Sequence, residues 1–221
     1  MNRYAMPVHQ KSIEKDFESH ALISEIPRLV ATIKAIKTKK ELSKIKDELN
    51  HILFELWFSI NFSSGINLRD REKLYPLFKE VGRLFGVGSY PFAYRGVRLS
   101  DWDANALSET YTDLEIGDII YNPKEPRIVD HLEGLAYGLR SWTPILSGAE
   151  SWASYRKRHK DKLIFQISNP EVVLDANEYL KDFKGISPFD WNEIILFIKN
   201  PKIVSIEKTE DDLFLVKIKD N

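Results

Sequence analysis

Cysteine is absent from the 221 residues, which removes disulfide scaffolds, thiol nucleophiles, thiolate zinc sites and iron–sulfur ligation in one step. A surplus of either charge is also missing. Lys+Arg 32 against Asp+Glu 33 leaves a formal charge of -1, so no global field names nucleic acid or an anionic membrane as partner, whatever local patches exist. Long hydrophobic runs are lacking as well. The best, Ile52 to Phe62, is interrupted by Glu55 and Asn61 and falls short of the ~20 apolar residues that span a bilayer. The early stretch His9 to Glu18 is polar and holds no apolar signal core, which predicts a protein working in a cytoplasm, its own or a host's, with no membrane partner. The five histidines (His9, His20, His51, His131, His159) include no helical i,i+4 pair, so a zinc-protease motif is missing. There is no Walker A run and no nucleophile elbow. Gly86-Val87-Gly88 lacks the third glycine of a dinucleotide fingerprint and follows a helical pattern, which makes it a helix stop.

What is present suits a packed core. Apolar residues make up 43% and aromatics 12% of the chain, enough for one compact unit with a small appendage. Up to about Phe85 the period is helical. Ile23, Ile26, Leu29, Val30, Ile33 and Ile36 mark one helix. Thr38 and Glu41 have capping-box spacing and open a second, with Leu42, Ile45, Leu49, Ile52, Leu53, Leu56 and Trp57 on its apolar face to an end near Asn61. Leu74, Leu77, Phe78, Val81, Leu84 and Phe85 mark a third from about Asp70, closed by Gly86. Lys34, Lys37, Lys39, Lys40, Lys44 and Lys46 lie beside Glu41, Asp47 and Glu48 and read as a solvated face.

After Gly88 the period changes to that of strands. Phe92–Leu99, Leu163–Ile167, Ile194–Ile198, Ile203–Ile206 and Phe214–Ile218 are short apolar runs bounded by Pro, Asn, Asp and Gly. Pro123, Pro126, Pro170, Pro188 and Pro201 fall between such runs, and Ser100 to Arg140 is too polar and too punctuated for regular structure throughout. The class is therefore α+β, with helices first and a mostly antiparallel sheet assembly after.

Three segments carry the candidate chemistry. Ala93-Tyr94-Arg95-Gly96-Val97-Arg98-Leu99 is an apolar run with an arginine that alternation does not require. Ser141-Trp142-Thr143 is followed by Ala149-Glu150-Ser151-Trp152-Ala153. Trp191-Asn192-Glu193-Ile194-Ile195-Leu196 places a carboxylate at the opening of an apolar strand. In that order they resemble the arginine–serine–glutamate class of mono-ADP-ribosyltransferases, which includes bacterial toxins, phage-encoded enzymes and vertebrate ectoenzymes. Gly117-Asp118-Ile119-Ile120 resembles the segment before the family's serine strand, and Ala149/Trp152/Ala153 its Ala-x-x-Phe-Ala helix with Trp for Phe. Leu163–Asn169, Val173–Leu180 and Asn200–Lys219 resemble the strands around the catalytic glutamate.

The resemblance implies a helical N-terminal lobe over 1–87 and, over 88–221, a two-sheet β core that binds NAD+ as co-substrate, with no metal. It implies three catalytic residues: Arg95, Ser141 and Glu193. Cleaving the nicotinamide–ribose bond develops positive charge at the anomeric carbon, which a carboxylate, Glu193, stabilises. An arginine fork, Arg95, suits a pyrophosphate dianion. Ser141 is implied as the hydroxyl that holds Glu193, with Thr143 one alternation along on the same face. Gly96 would let the backbone approach the nicotinamide amide. Trp152 would stack on the nicotinamide ring, and Arg156, in the cluster Arg156–Lys160, would meet phosphate.

One position departs from the family. Arginine-modifying members carry Glu or Gln two residues before the catalytic glutamate, and Trp191 stands there; an indole offers an aromatic face but no acceptor. Asp190 is the nearest replacement, reached if the turn bulges by one residue. Phe183, Phe189 and Trp191 give the preceding loop three aromatics for substrate recognition. The reading is transfer of ADP-ribose from NAD+ to a macromolecular acceptor, a protein before a nucleic acid. The alternatives are an NAD+ glycohydrolase on the same site and a non-catalytic interaction module with the same fold.

Overall fold

The computed structural model describes residues 23–42, 44–45, 48–49, 52–53, 68–97, 101–111, 113–154, 162–182, 192–210 and 213–221. The chain divides into two compact units, Met1–Val87 with Glu178–Asp190 and Gly88–Asn177 with Trp191–Asn221.

The described part of the first unit is helical. Helix α1 covers residues 23–35 and buries Ile23, Ile26, Leu29 and Ile33. The expected capping box forms at the start of α2 (Lys39–Leu42): Glu41 N–H donates to Thr38 Oγ1 (3.3 Å), while Glu41 Oε2 accepts from the N–H groups of Thr38 (3.2 Å) and Lys37 (2.9 Å). The long helix expected from here is interrupted, because Lys44 and Ile45 form a turn. Lys44 N–H bonds back three residues to the Glu41 carbonyl at 3.2 Å, the tight geometry of a helix end, and a new turn starts with Leu49 N–H to Ile45 O at 2.8 Å. Arg28 then reaches Glu48 at 2.7 Å. The rest of that expected helix lies outside the described residues. Helix α3 (Leu68–Phe85) buries Leu74, Leu77, Phe78, Val81 and Phe85. It ends as expected at Gly86, whose φ of 82° is the left-handed conformation that glycine adopts without steric cost.

The second unit holds two sheets. The larger has the order β1-β4-β8-β7-β2, from β1 (Phe92–Val97), β2 (Ile119–Tyr121), β4 (Lys162–Ser168), β7 (Pro201–Glu210) and β8 (Leu213–Asp220). Only β4 and β8 are parallel neighbours there. The smaller is antiparallel with the order β3-β6-β5, from β3 (Gly138–Trp142), β5 (Val172–Asp175) and β6 (Ile194–Ile198). The α+β class with mostly antiparallel sheets is what the pattern predicts.

Alternation sorts the side chains. Ala93, Val97, Leu163, Phe165, Ile167, Phe214, Val216 and Ile218 of the larger sheet share one core with Trp142, Ile194, Leu196 and Ile198 of the smaller. Each fully buried large apolar side chain, Phe165 among them, contributes ~1.5–3 kcal/mol. The opposite face of the larger sheet packs Ile164 and Leu213 on Ala149 of a helix described below. Being covered on both faces is why β4 reads as a continuous apolar run.

The segment from Ser100 to Arg140 is more regular than expected. Helix α4 (Asp101–Thr110) buries Leu107, and α5 (Pro126–Ala136) buries Ile128, Leu132 and Ala136. Pro126 starts α5, where a missing N–H costs nothing, and Pro201 opens β7. Val173–Leu180 is strand only to Asp175; α7 (Ala176–Asp182) follows. Among the described residues no helix is long and apolar enough to cross a membrane.

The capping box makes a prediction about pH. Backbone N–H groups of Lys37 and Thr38 hold the Glu41 carboxyl below the usual carboxylate range. A depressed folded-state pKa gives stability that is present above the unfolded value and lost as pH falls through the folded one. Glu41→Ala is expected to melt below the wild type at neutral pH, with the gap closing as acid protonates Glu41. A gap that stays constant on acidification contradicts the assignment.

Candidate active site

The site forms where the two sheets part. Among the described residues, edge strands β1 and β3 meet at an antiparallel bridge, in which Tyr94 N–H donates to the Thr143 carbonyl (2.7 Å) and Thr143 N–H to the Tyr94 carbonyl (2.8 Å). Both peptide groups of Tyr94 thus point away from β4. In an antiparallel ladder these directions alternate, so the N–H and C=O of Gly96, two residues on, also face the open edge of β1. The same argument turns the peptide groups of Ser141 toward the open edge of β3. Beyond the bridge the strands diverge, and the Arg95 guanidinium bridges the gap, its Nη1 donating to the Ser141 carbonyl at 2.8 Å. Arg95 is half-buried, with Nε inside.

Ser141 and Glu193 are brought together through the smaller sheet. Ser141 pairs with Ile195 and Trp142 with Ile194. Trp142 and Ile194 face the shared core, so Ser141 and Ile195 lie on the other face. Glu193 is two residues before Ile195, and alternation carried past the strand end puts it on the Ser141 face. It is half-buried, and its carbonyl accepts from Ala176 N–H at 2.9 Å. Thr143 is one step beyond the last registered pair. Its Oγ1 also accepts from Ile145 N–H at 3.2 Å, a local turn that leads into α6 (Leu146–Ser154).

Gly96 has a second reason to be glycine. A Cβ there would overlap the Ala149 carbonyl and lie 2.7 Å from the Ala153 nitrogen, so α6 packs directly on the Gly96 backbone. The expected close approach at Gly96 is therefore to this helix on the Cα side, and the strand edge is the side that remains for a ligand. The alanines of the Ala149/Trp152/Ala153 pattern are the residues that permit the contact. Trp152, next to them on α6, is 47% exposed, which excludes plain core. Arg156, Phe183, Phe189, Asp190 and Trp191 lie outside the described residues.

One group escaped the sequence reading. Asp175 is fully buried at the end of β5, and its Oδ2 accepts from Gly88 N–H (3.0 Å) and Tyr90 OH (2.6 Å). It ties the chain entering β1 to the strand beside β6. The available signal was Asp175 three residues before Glu178, the spacing of a capping box, in a stretch taken for a strand.

The Gly96 contact is open to test. Gly96→Ala forces a methyl group into a backbone carbonyl, and overpacking of this kind costs about 1–3 kcal/mol. Chemical denaturation is expected to show a lower midpoint at unchanged slope. A midpoint equal to the wild type would mean that α6 does not sit on β1 as described.

No protein-family model and no curated protein sequence matches the chain. Two solved structures are similar over most of its length. C3larvin toxin, an ADP-ribosyltransferase from Paenibacillus larvae, shares 12% identity over 84% of this chain and 90% of its own, with a TM-score of 0.29. Plx2a, an ADP-ribosyltransferase toxin from the same organism, shares 12% identity over 91% of this chain and 95% of its own, with a TM-score of 0.28.

Proposed function

We propose that this chain is a mono-ADP-ribosyltransferase that moves ADP-ribose from NAD+ to a macromolecular acceptor, a protein side chain first. The observation that carries the reading is the Arg95 guanidinium set on the Ser141 carbonyl of β3, whose paired neighbour β6 begins one residue after Glu193. This arrangement fits a dinucleotide. The Arg95 guanidinium is a planar fork of donors, the shape that suits a pyrophosphate dianion. Gly96 presents both N–H and C=O to the same gap, a donor and an acceptor that match the two halves of a carboxamide such as nicotinamide's.

The residues then divide the work. Arg95 and the Gly96 edge bind and orient the dinucleotide, so that the scissile bond is fixed before reaction. Nicotinamide leaves with the bonding electron pair, and positive charge grows on the ribose anomeric carbon. Glu193 is the carboxylate that stabilises this charge, and it needs no reorganisation if it is already aimed. Ser141 and Thr143 are the hydroxyls on its face that hold it. The acceptor nucleophile forms the new bond to the anomeric carbon and gives up its proton. Trp152, exposed beside the Gly96 contact, is the aromatic surface for the leaving ring, with Arg156 as a phosphate contact and Phe183, Phe189 and Trp191 as the acceptor-recognition set.

The test is incubation with NAD+ labelled in the ADP-ribose part, alone and with a cell lysate. The wild type is expected to place label in protein, and Glu193→Gln to lower that rate by roughly 10²–10³-fold or more, the size of effect seen when one preorganised electrostatic group is removed. Label found only as free ADP-ribose would replace transfer with NAD+ hydrolysis. Absence of both turnover and NAD+ binding would leave a fold used for recognition alone.

A further inference from the structure

Glu193 can act only if its carboxylate points at the reacting carbon, and the backbone that carries it is held in an unusual way. Asn192 has a φ of 69°, the left-handed region, which asparagine enters more readily than other non-glycine residues but which still lies above the common basins in energy. Such a conformation persists when its surroundings fix it. Two hydrogen bonds from the start of α7 do so. Asn192 N–H donates to the side-chain Oδ1 of Asn177 at 3.1 Å, and the Glu193 carbonyl accepts from Ala176 N–H at 2.9 Å. The clamp is itself anchored, since buried Asp175 accepts Asn177 N–H on Oδ1 at 2.9 Å while its Oδ2 takes Gly88 N–H and Tyr90 OH. One buried carboxylate thus fixes both the chain entering β1, which carries Arg95, and the helix start that grips Asn192.

We infer that Asn177 is a positioning residue for Glu193: its side-chain oxygen keeps Asn192 left-handed and so sets the direction of the Glu193 carboxylate. The inference rests on the reading of Glu193 as the charge-stabilising group. Nothing in the Arg–Ser–Glu pattern requires an asparagine at 177, and the Asn177 side chain acts here through the backbone, without touching substrate. Ala176 N–H is a main-chain donor that substitution cannot remove. The Asn177 oxygen is the half of the clamp that can be deleted.

Three variants at this position separate positioning from bulk structure. Asn177→Asp keeps an acceptor in place, Asn177→Ala removes it, and Asn177→Leu removes it at similar volume, standing in if the alanine variant does not fold. Nicotinamide release from NAD+ is followed to give kcat and KM, with melting temperature read alongside. Removal of the acceptor is expected to lower kcat by about 10–100-fold, the cost of a small misplacement of a reacting group, with KM for NAD+ within about twofold and Asn177→Asp within about threefold of wild type. An unchanged kcat in Asn177→Ala or Asn177→Leu overturns the inference. An equal loss in Asn177→Asp, or a rise in KM alone, overturns it too. A wild type that turns over no NAD+ defeats the proposed function, and this inference with it. An active wild type matched by its acceptor-less variants defeats this inference alone.

Discussion

The two-peptide bridge between Tyr94 and Thr143 is the constraint on which the rest of the site depends. Sheets packed face to face through a shared apolar core need not touch along their edges. Here, among the described residues, their edges pair at Tyr94 and Thr143. That one contact fixes the direction of every peptide group beyond it on both strands, which is why Gly96 and Ser141 face the same gap. It also places Arg95 at the mouth of that gap, with Nη1 2.8 Å from the Ser141 carbonyl. A continuous ladder would have sealed the space with backbone pairing, and no contact at all would have left the Ser141 carbonyl without a fixed place beside Arg95.

Supports on either side keep the geometry from relaxing. On the outer face of β1, α6 sits so close to Gly96 that no side chain fits, so the strand cannot slide without moving the helix. Thr143 joins the two, pairing with Tyr94 by its backbone and starting the turn into α6 with its hydroxyl. On the other side buried Asp175 collects Gly88, Tyr90 and Asn177. A buried carboxylate is tolerated only when donors surround it, and its three donors come from segments leading to both halves of the site. Rigid elements carrying few exposed polar groups are what preorganisation requires.

Much of this was legible in the residues, and the failures have physical reasons. β1, β4, β6 and β8 announced themselves because burial on one or both faces forces apolar runs. β2 did not, since a three-residue edge strand with Ile119 and Tyr121 exposed has no buried face to impose a pattern. Helix α5 does carry a signal, Ile128, Leu132 and Ala136 at four-residue steps behind Pro126, but a proline reads equally as punctuation between strands and as a helix start. Arg95, Ser141 and Glu193 are singled out by the order of three motifs, whereas the pairing of the strands that carry or adjoin them is a register that no local pattern encodes. Asp175 and Asn177 were missed because their roles depend on partners 85 to 87 and 15 residues away.

The central claim is that the open edge of β1 beyond the Tyr94–Thr143 bridge receives a dinucleotide held by Arg95. Titration of NAD+ into isotopically labelled protein, followed at backbone amides, tests it most directly. The account predicts saturable shifts concentrated at Gly96 and Ser141, lost in Arg95→Ala although the Tyr94 and Thr143 amides keep their hydrogen-bonded positions. Saturable binding whose shifts fall elsewhere, or that survives the loss of Arg95 unchanged, would contradict it.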